Sequence, residues 1–153
     1  MADLDAALGL WSGTAFDEFR HESWAEAEAT RLDELRLVAA EDRAELLIAL
    51  GRSGEAISSL GALLVANPYR DRPRGLLLQA LACEGRQADA LRAYQDYRSF
   101  LADEVGTDPS PSVQTIEQRV ASSATDEHRV VIERLRSIGR WSNDGDPQAR
   151  SKS

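Results

Sequence analysis

A repeat constrains this chain more than any other feature. Gly51-Arg52 returns as Gly85-Arg86, Leu47 as Leu81, Ala56 as Ala90 and Leu60 as Tyr94, each 34 residues later and without a gap. A period of that length means one supersecondary unit stacked on the next, each burying the apolar face that the other cannot cover alone. Apolar residues around the matched positions recur at three- and four-residue spacings, so the unit is a pair of amphipathic helices. The matched residue types suit such a pair. Glycine allows the left-handed turn between the two helices, and the small residue five positions later lets them cross closely. The large apolar residue four positions further fills the next layer. Leu47, Gly51, Ala56 and Leu60, with Leu81, Gly85, Ala90 and Tyr94, are therefore the expected packing positions of two helical hairpins.

The flanking segments also read as helix, and nowhere does sustained period-2 alternation suggest a strand. A short helix is expected over Leu4–Leu10, ended by Trp11-Ser12-Gly13, with Phe16 and Phe19 in the following loop set to plug the core. Ser23-Trp24-Ala25-Glu26 has the form of a capping box and opens a long helix to about Leu50. Its predicted inner stripe is Leu32, Leu35, Val38, Ala39, Leu46 and Leu50. A third helix is expected over Ser53–Ala66, stopped by Asn67-Pro68, with Ile57, Leu60, Leu63 and Leu64 inward. A fourth starts near Arg72-Pro73 and stops at Gly85, carrying Leu77, Leu78 and Leu81. A fifth covers Gln87–Val105, with Leu91, Tyr94, Tyr97 and Leu101 inward. Ser110-Pro111 caps a sixth, which carries Val113, Ile116 and Val120. After Ser122-Ser123 a separate short helix is expected to use Val130, Val131, Leu135 and Ile138, and the polar stretch from Trp141 to Ser153 to be disordered. The period is that of a tetratricopeptide unit. The expected fold is all-α: a right-handed tetratricopeptide-like repeat of two hairpins plus flanking helices. Residues 1–123 form the domain, and 124–153 a short helix and tail.

Chemistry-bearing constellations are not evident. His21 and His128 lie far apart, neither with a ligand partner at suitable spacing, and are expected on the surface. Cys83 follows Leu81-Ala82 and is expected to be a small buried hydrophobe. Ser58-Ser59 and Ser122-Ser123 occupy helical or terminal contexts rather than a nucleophile elbow. Glu41-Asp42 falls on the predicted solvated face of the long helix. Neither a phosphate-binding nor a dinucleotide-binding glycine motif occurs. The expectation is a non-enzyme with no cofactor and no metal. Charge adds a second exclusion. Residues 1–127 hold 12 arginines and no lysine against 23 acids, whereas residues 128–153 hold six bases against three acids. An acidic body is repelled by the phosphate backbone that supplies most nucleic-acid affinity. Direct DNA binding by this chain alone is therefore not expected. No run approaches a membrane span and the first residues are acidic rather than basic, so a cytoplasmic location with no membrane contact is expected.

With helices and repeat in place, several segments resemble the bacterial transcriptional activator domain of actinobacterial antibiotic regulatory proteins, the SARP or AfsR-like family. They are Ala7-Leu8-Gly9-Leu10-Trp11-Ser12-Gly13, Trp24 with Glu26–Arg36, Ala49-Leu50-Gly51-Arg52, and Asn67-Pro68-Tyr69-Arg70-Asp71-Arg72. Further on come Gly85-Arg86-Gln87-Ala88-Asp89-Ala90-Leu91-Arg92-Ala93-Tyr94 and the run from Leu101 to Pro111. The resemblance covers about Leu4 to Val120. Family members usually carry a winged helix–turn–helix DNA-binding domain before this module, and one more helix upstream of Ala7–Trp11. This chain has neither, so it is expected to be a fragment or a shortened gene product.

What the resemblance implies is the protein-contact half of a regulator: dimerisation, or contact with another regulator or an RNA polymerase component. Resemblance to other tetratricopeptide units implies a groove lined by the first helix of each hairpin, with Glu41, Glu45, Arg72 and Gln79 facing it. Two other readings stay open on the residues alone. One is a general peptide-binding scaffold. The other is a decoy that lacks the DNA-binding half and captures a full-length relative in inactive heterodimers.

Overall fold

The computed structural model describes residues 2–10 and 23–141. Their secondary structure is helical: α1 Ala2–Gly9, α2 Ser23–Ala49, α3 Ser53–Ala66, α4 Asp71–Cys83, α5 Gln87–Val105 and α6 Pro111–Trp141. Helices α2 and α3 form the first hairpin and α4 and α5 the second. The first helices α2 and α4 also touch, and α6 stacks on α4 and α5 much as α4 stacks on α2 and α3.

The two glycine bends match in backbone angle and in hydrogen bonding. Gly51 has φ 73° and Gly85 φ 72°. The Arg52 amide donates to the Leu47 carbonyl at 2.8 Å and the Arg86 amide to the Leu81 carbonyl at 2.9 Å. Gly51 donates to Ile48 and Gly85 to Ala82, both at 3.0 Å. These are the paired bonds of a Schellman cap, which satisfy helix-end carbonyls and require a left-handed residue at the turn. Repetition extends into side chains that the sequence alone did not single out. Arg52 Nε donates to Glu55 Oε1 at 2.7 Å, and Arg86 Nε donates to Asp89 Oδ2 at 2.8 Å. Each second helix thus begins with an arginine–acid clamp where it has no side-chain cap hydrogen bond.

Two core layers follow the repeat. The first holds Ala44, Leu47, Ala56, Leu60, Leu76 and Ala80, and the second Leu78, Leu81, Ala90, Tyr94, Val113 and Val120. Ala56 and Ala90 are 0% and 1% exposed, so the helices cross where only a methyl group fits. Gly75 serves the α4–α6 contact in the same way: a Cβ there would lie 2.8 Å from Ile116 Cδ1.

Four expectations need correction. In α2 the buried aliphatics are Ala25, Ala44 and Leu47, while Leu35, Leu46 and Leu50 of the predicted stripe are exposed. The run Leu46-Leu47-Ile48 is apolar on several sides, so periodicity there does not fix the inner face; the close approach at Ala44 does. Cys83 is exposed rather than buried, because it is the last residue of α4 and lies past the packed layers. Glu41 is not solvated but buried. No break follows Ser122-Ser123, since α6 runs unbroken to Trp141. The Ser122 and Ser123 hydroxyls donate to the Gln118 and Arg119 carbonyls at 2.8 and 3.0 Å and sit within the helix rather than ending it. Phe16, Phe19, His21, the His128 side chain and the tail after Trp141 lie outside the described residues.

Candidate interaction surface

Among the described residues, the largest network of side-chain ion pairs lies where α2 meets the start of α4. It depends on the turn between the hairpins. The Asn67 amide and its side-chain Nδ2 both donate to the Leu63 carbonyl, at 3.0 and 3.1 Å, and close α3. Tyr69 then packs its ring 5.1 Å from that of Phe100 on α5. Tyr97, also on α5 and 2% exposed, donates its hydroxyl to Asp71 Oδ1 at 2.7 Å, with the Tyr69 carbonyl at 3.4 Å. Burial first, then the bond to Asp71, pushes loss of the Tyr97 proton well above the ordinary tyrosine range. The Arg74 guanidinium lies 4.5 Å over the Tyr97 ring and reaches the Pro68 carbonyl at 3.5 Å. The turn is thus held from both sides, which fixes the direction in which Arg70 leaves it.

Arg70 points back to α2. Its Nε donates to Glu41 Oε1 at 2.7 Å, and its Nη1 donates to both oxygens of Glu34 at 2.8 Å. In the first turn of α4, Arg72 donates to Asp42 at 2.6 Å and to Glu45 at 2.9 Å, and approaches Glu41 Oε2 at 3.4 Å. Glu41 is only 1% exposed and has an arginine on each oxygen. The hydrogen bonds from Arg70 to Glu41 and then Glu34 raise the Arg70 pKa, and those from Arg72 to Asp42 first, then Glu45, raise that of Arg72. The network holds four carboxylates against two guanidiniums, so it carries surplus negative charge. Glu34, Asp42 and Glu45 are partly open to solvent.

Three of the four residues expected to line the groove, Glu41, Glu45 and Arg72, are therefore joined in one network, but in different roles. Glu41 is an internal tie, whereas Arg72 and Glu45 present charge outward. Gln79 is half-buried, about two turns further along α4. Sequence reasoning missed Arg70, Glu34, Asp42, Asp71, Arg74 and Tyr97 as parts of this surface. The signal that could have found three of them is the Asn67–Arg72 run with Arg74 following it. Beside the network, α2 and α3 enclose an open groove of about 650 Å³, with Leu37, Ala40, Leu63 and Ala66 among its walls. No helix among the described residues is long and apolar enough to cross a membrane.

Residues 1–121 match the family model of the bacterial transcriptional activator domain. The chain belongs to that family. The domain is 43% identical over 117 residues to the regulatory protein AfsR of Streptomyces griseus, covering 76% of this chain and 12% of AfsR. It is 38% identical over 117 residues to the transcriptional regulatory protein EmbR of Mycobacterium tuberculosis, covering 76% of this chain and 30% of EmbR. A solved structure of M. tuberculosis EmbR, in complex with a low-affinity phosphopeptide, matches with a TM-score of 0.76 at 36% identity, over 80% of this chain and 32% of that one. The helical fold and the regulator family are thus shown. The domain spans less than a third of the length of these relatives.

Proposed function

We propose that this domain acts by protein contact within a transcriptional regulator, and that the α2–α4 face receives the partner. The observation that carries this is the pre-ordered network there. Its buried centre, Glu41, is locked by two arginines, and Glu34, Asp42 and Glu45 hold surplus negative charge at the rim. Charges ordered before binding cost little further entropy on binding and select a partner of opposite sign. A basic segment of an RNA polymerase component or of another regulator fits that description. The same acid surplus disfavours DNA on this face.

Binding to purified actinobacterial RNA polymerase holoenzyme and to a full-length AfsR-type regulator tests the reading, measured by biolayer interferometry at two ionic strengths. Affinity should fall with salt, and should fall on the order of tenfold in the double variant Asp42→Arg/Glu45→Arg, as for a change at a steering charged rim. No binding to either partner, or binding that ignores both salt and the double variant, would overturn it. The decoy reading predicts a separate result: mixing with the full-length regulator would abolish the regulator's operator binding.

A further inference from the structure

Arg70 leaves the turn between the hairpins towards α2, but its neighbour Tyr69 leaves it towards α5. Tyr69 stays 54% exposed, with its ring against half-buried Phe100. Half-buried Arg74 lies beside this pair. Its guanidinium covers the Tyr97 ring and donates to the Pro68 carbonyl, and the Tyr97 hydroxyl reaches the Tyr69 carbonyl. Arg74 differs from the two arginines before it. Arg70 and Arg72 each hold two or more carboxylates. Among the described residues no carboxylate comes within ion-pair distance of Arg74. Asp71, one turn back on α4, accepts the Tyr97 hydroxyl instead, and Asp96, Asp103 and Glu104 of α5 make no ion pair with it. The Arg74 Nε is buried with no acceptor, and the hydrogen bond to Pro68 is 3.5 Å long. A cation partly removed from water without a counter-ion is costly, and buried donors without acceptors are few in native folds. Residues 1–127 contain 23 acids, yet none is placed here.

We propose that Arg74 and the Tyr69–Phe100 pair form a docking site for an acidic peptide segment of a protein partner. An aspartate or glutamate carboxylate sits on the guanidinium, and an adjacent aromatic or aliphatic side chain sits on the rings. Charge complementarity selects this occupant. A guanidinium offers a carboxylate two parallel N–H groups, and the Tyr97 ring and Pro68 carbonyl hold it in place before a partner arrives. The half-buried setting strengthens such a pair over one in open water. Tyrosine and arginine are also the side chains that most often dominate binding energy at protein interfaces. A DNA duplex carries oxyanions too, but it binds through many phosphates, and residues 1–127 offer 12 arginines against 23 acids. One carboxylate beside an apolar side chain needs only one guanidinium. The inference uses the α5 side of the turn and does not rest on the α2–α4 face, whose partner is basic, so each can fail without the other.

Selection of a phage-displayed library of random dodecapeptides on the full chain tests it. The selected set should include peptides with aspartate or glutamate next to phenylalanine, tryptophan or leucine. The best of these, labelled with fluorescein, should bind in fluorescence anisotropy with an affinity that falls as salt rises. Arg74→Met keeps the stem and removes the charge, and should raise Kd roughly tenfold or more, the scale for a central interface residue. Arg74→Lys should recover part of that loss, since the charge returns without the fork. Tyr69→Ser should also raise Kd, by about tenfold. Arg92→Ala, at an exposed arginine elsewhere on α5, should leave it unchanged. Circular dichroism melts separate lost binding from lost fold, and if Arg74→Met loosens the turn, Tyr69→Ser at its exposed ring decides the matter. A selection that returns no acidic–apolar peptide, acidic peptides indifferent to both Arg74→Met and Tyr69→Ser, or displacement of the peptide by an equal concentration of random-sequence DNA duplex would each overturn the proposal.

Discussion

Removing Arg70 is the sharpest test of the network on α2 and α4. Glu41 is 1% exposed, and its short hydrogen bond, 2.7 Å, comes from Arg70, while Arg72 stands at 3.4 Å. Arg70→Ala therefore leaves a buried carboxylate with only its longer contact. Stripping one partner from a buried pair costs about 3–5 kcal/mol, and the residual Arg72 contact places this case near the lower end, roughly 3 kcal/mol. For a chain of this length that is a fall in Tm of about 9 °C, at roughly 3 °C per kcal/mol. Arg72→Ala is the control. It frees Asp42 and Glu45, both on the solvent side, and removes only the longer Glu41 contact, so it should cost about 1 kcal/mol or less. A paired replacement, Glu41→Leu with Arg70→Met, takes away both charges and should recover most of the loss, since a buried ion pair is often no better than apolar packing. Thermal and urea unfolding, followed by far-ultraviolet circular dichroism, would give all three values. If Arg70→Ala unfolds within 1 kcal/mol of wild type, or Arg72→Ala costs as much as Arg70→Ala, then Glu41 is not a buried charge held by the turn, and the reasoning fails.

Other predictions test the repeat and the turn. Ala56→Leu and Ala90→Leu should each overpack a helix crossing and lower stability by roughly 1–3 kcal/mol, with similar values at the two sites, as read from urea midpoints. Gly51→Ala and Gly85→Ala meet no atom within 4 Å, so their cost is conformational alone, about 1 kcal/mol each and equal between the two because the φ angles match; unequal losses would contradict the equivalence of the bends. Tyr97 gives a pH signature. Its folded pKa is raised above the unfolded value near 10. The stability this contributes is fully present below that unfolded value and is lost as pH rises through it towards the folded value. The slope should reach about 1.4 kcal/mol per pH unit. Tyr97→Phe should flatten that alkaline slope, leaving the smaller part owed to Tyr94, whose pKa burial also raises; an unchanged slope would show that Tyr97 ionises freely in the fold.

Some of the fold was legible because it is written in local chemistry. The bounds of α3 and α5 are the expected ones, since Gly51 and Gly85, Asn67-Pro68 and Gly106 punctuate the chain at points where only special backbone geometry is allowed. Small and large residues repeated at a fixed interval mark the positions that pack, and the core layers contain all of Leu47, Ala56, Leu60, Leu81, Ala90 and Tyr94. The family, too, was visible in contiguous motifs.

The candidate surface was not legible in the same way. Glu41 looks like any helical surface acid beside Asp42, and nothing near it in sequence reveals that two arginines, one from the inter-hairpin turn and one from α4, will close over it. The inner face of α2 is hidden for the same reason: its apolar residues go round the helix, and the partner α3 decides which of them are covered. Cys83 has apolar neighbours in sequence but lies where the packed layer stops. Residue pattern alone determined that this chain makes paired helices with two equivalent bends, because helix period, glycine turns and side-chain size act over a few residues. Tertiary structure alone decided which charges are buried and which face outward, because burial and ion pairing depend on what another segment brings across space.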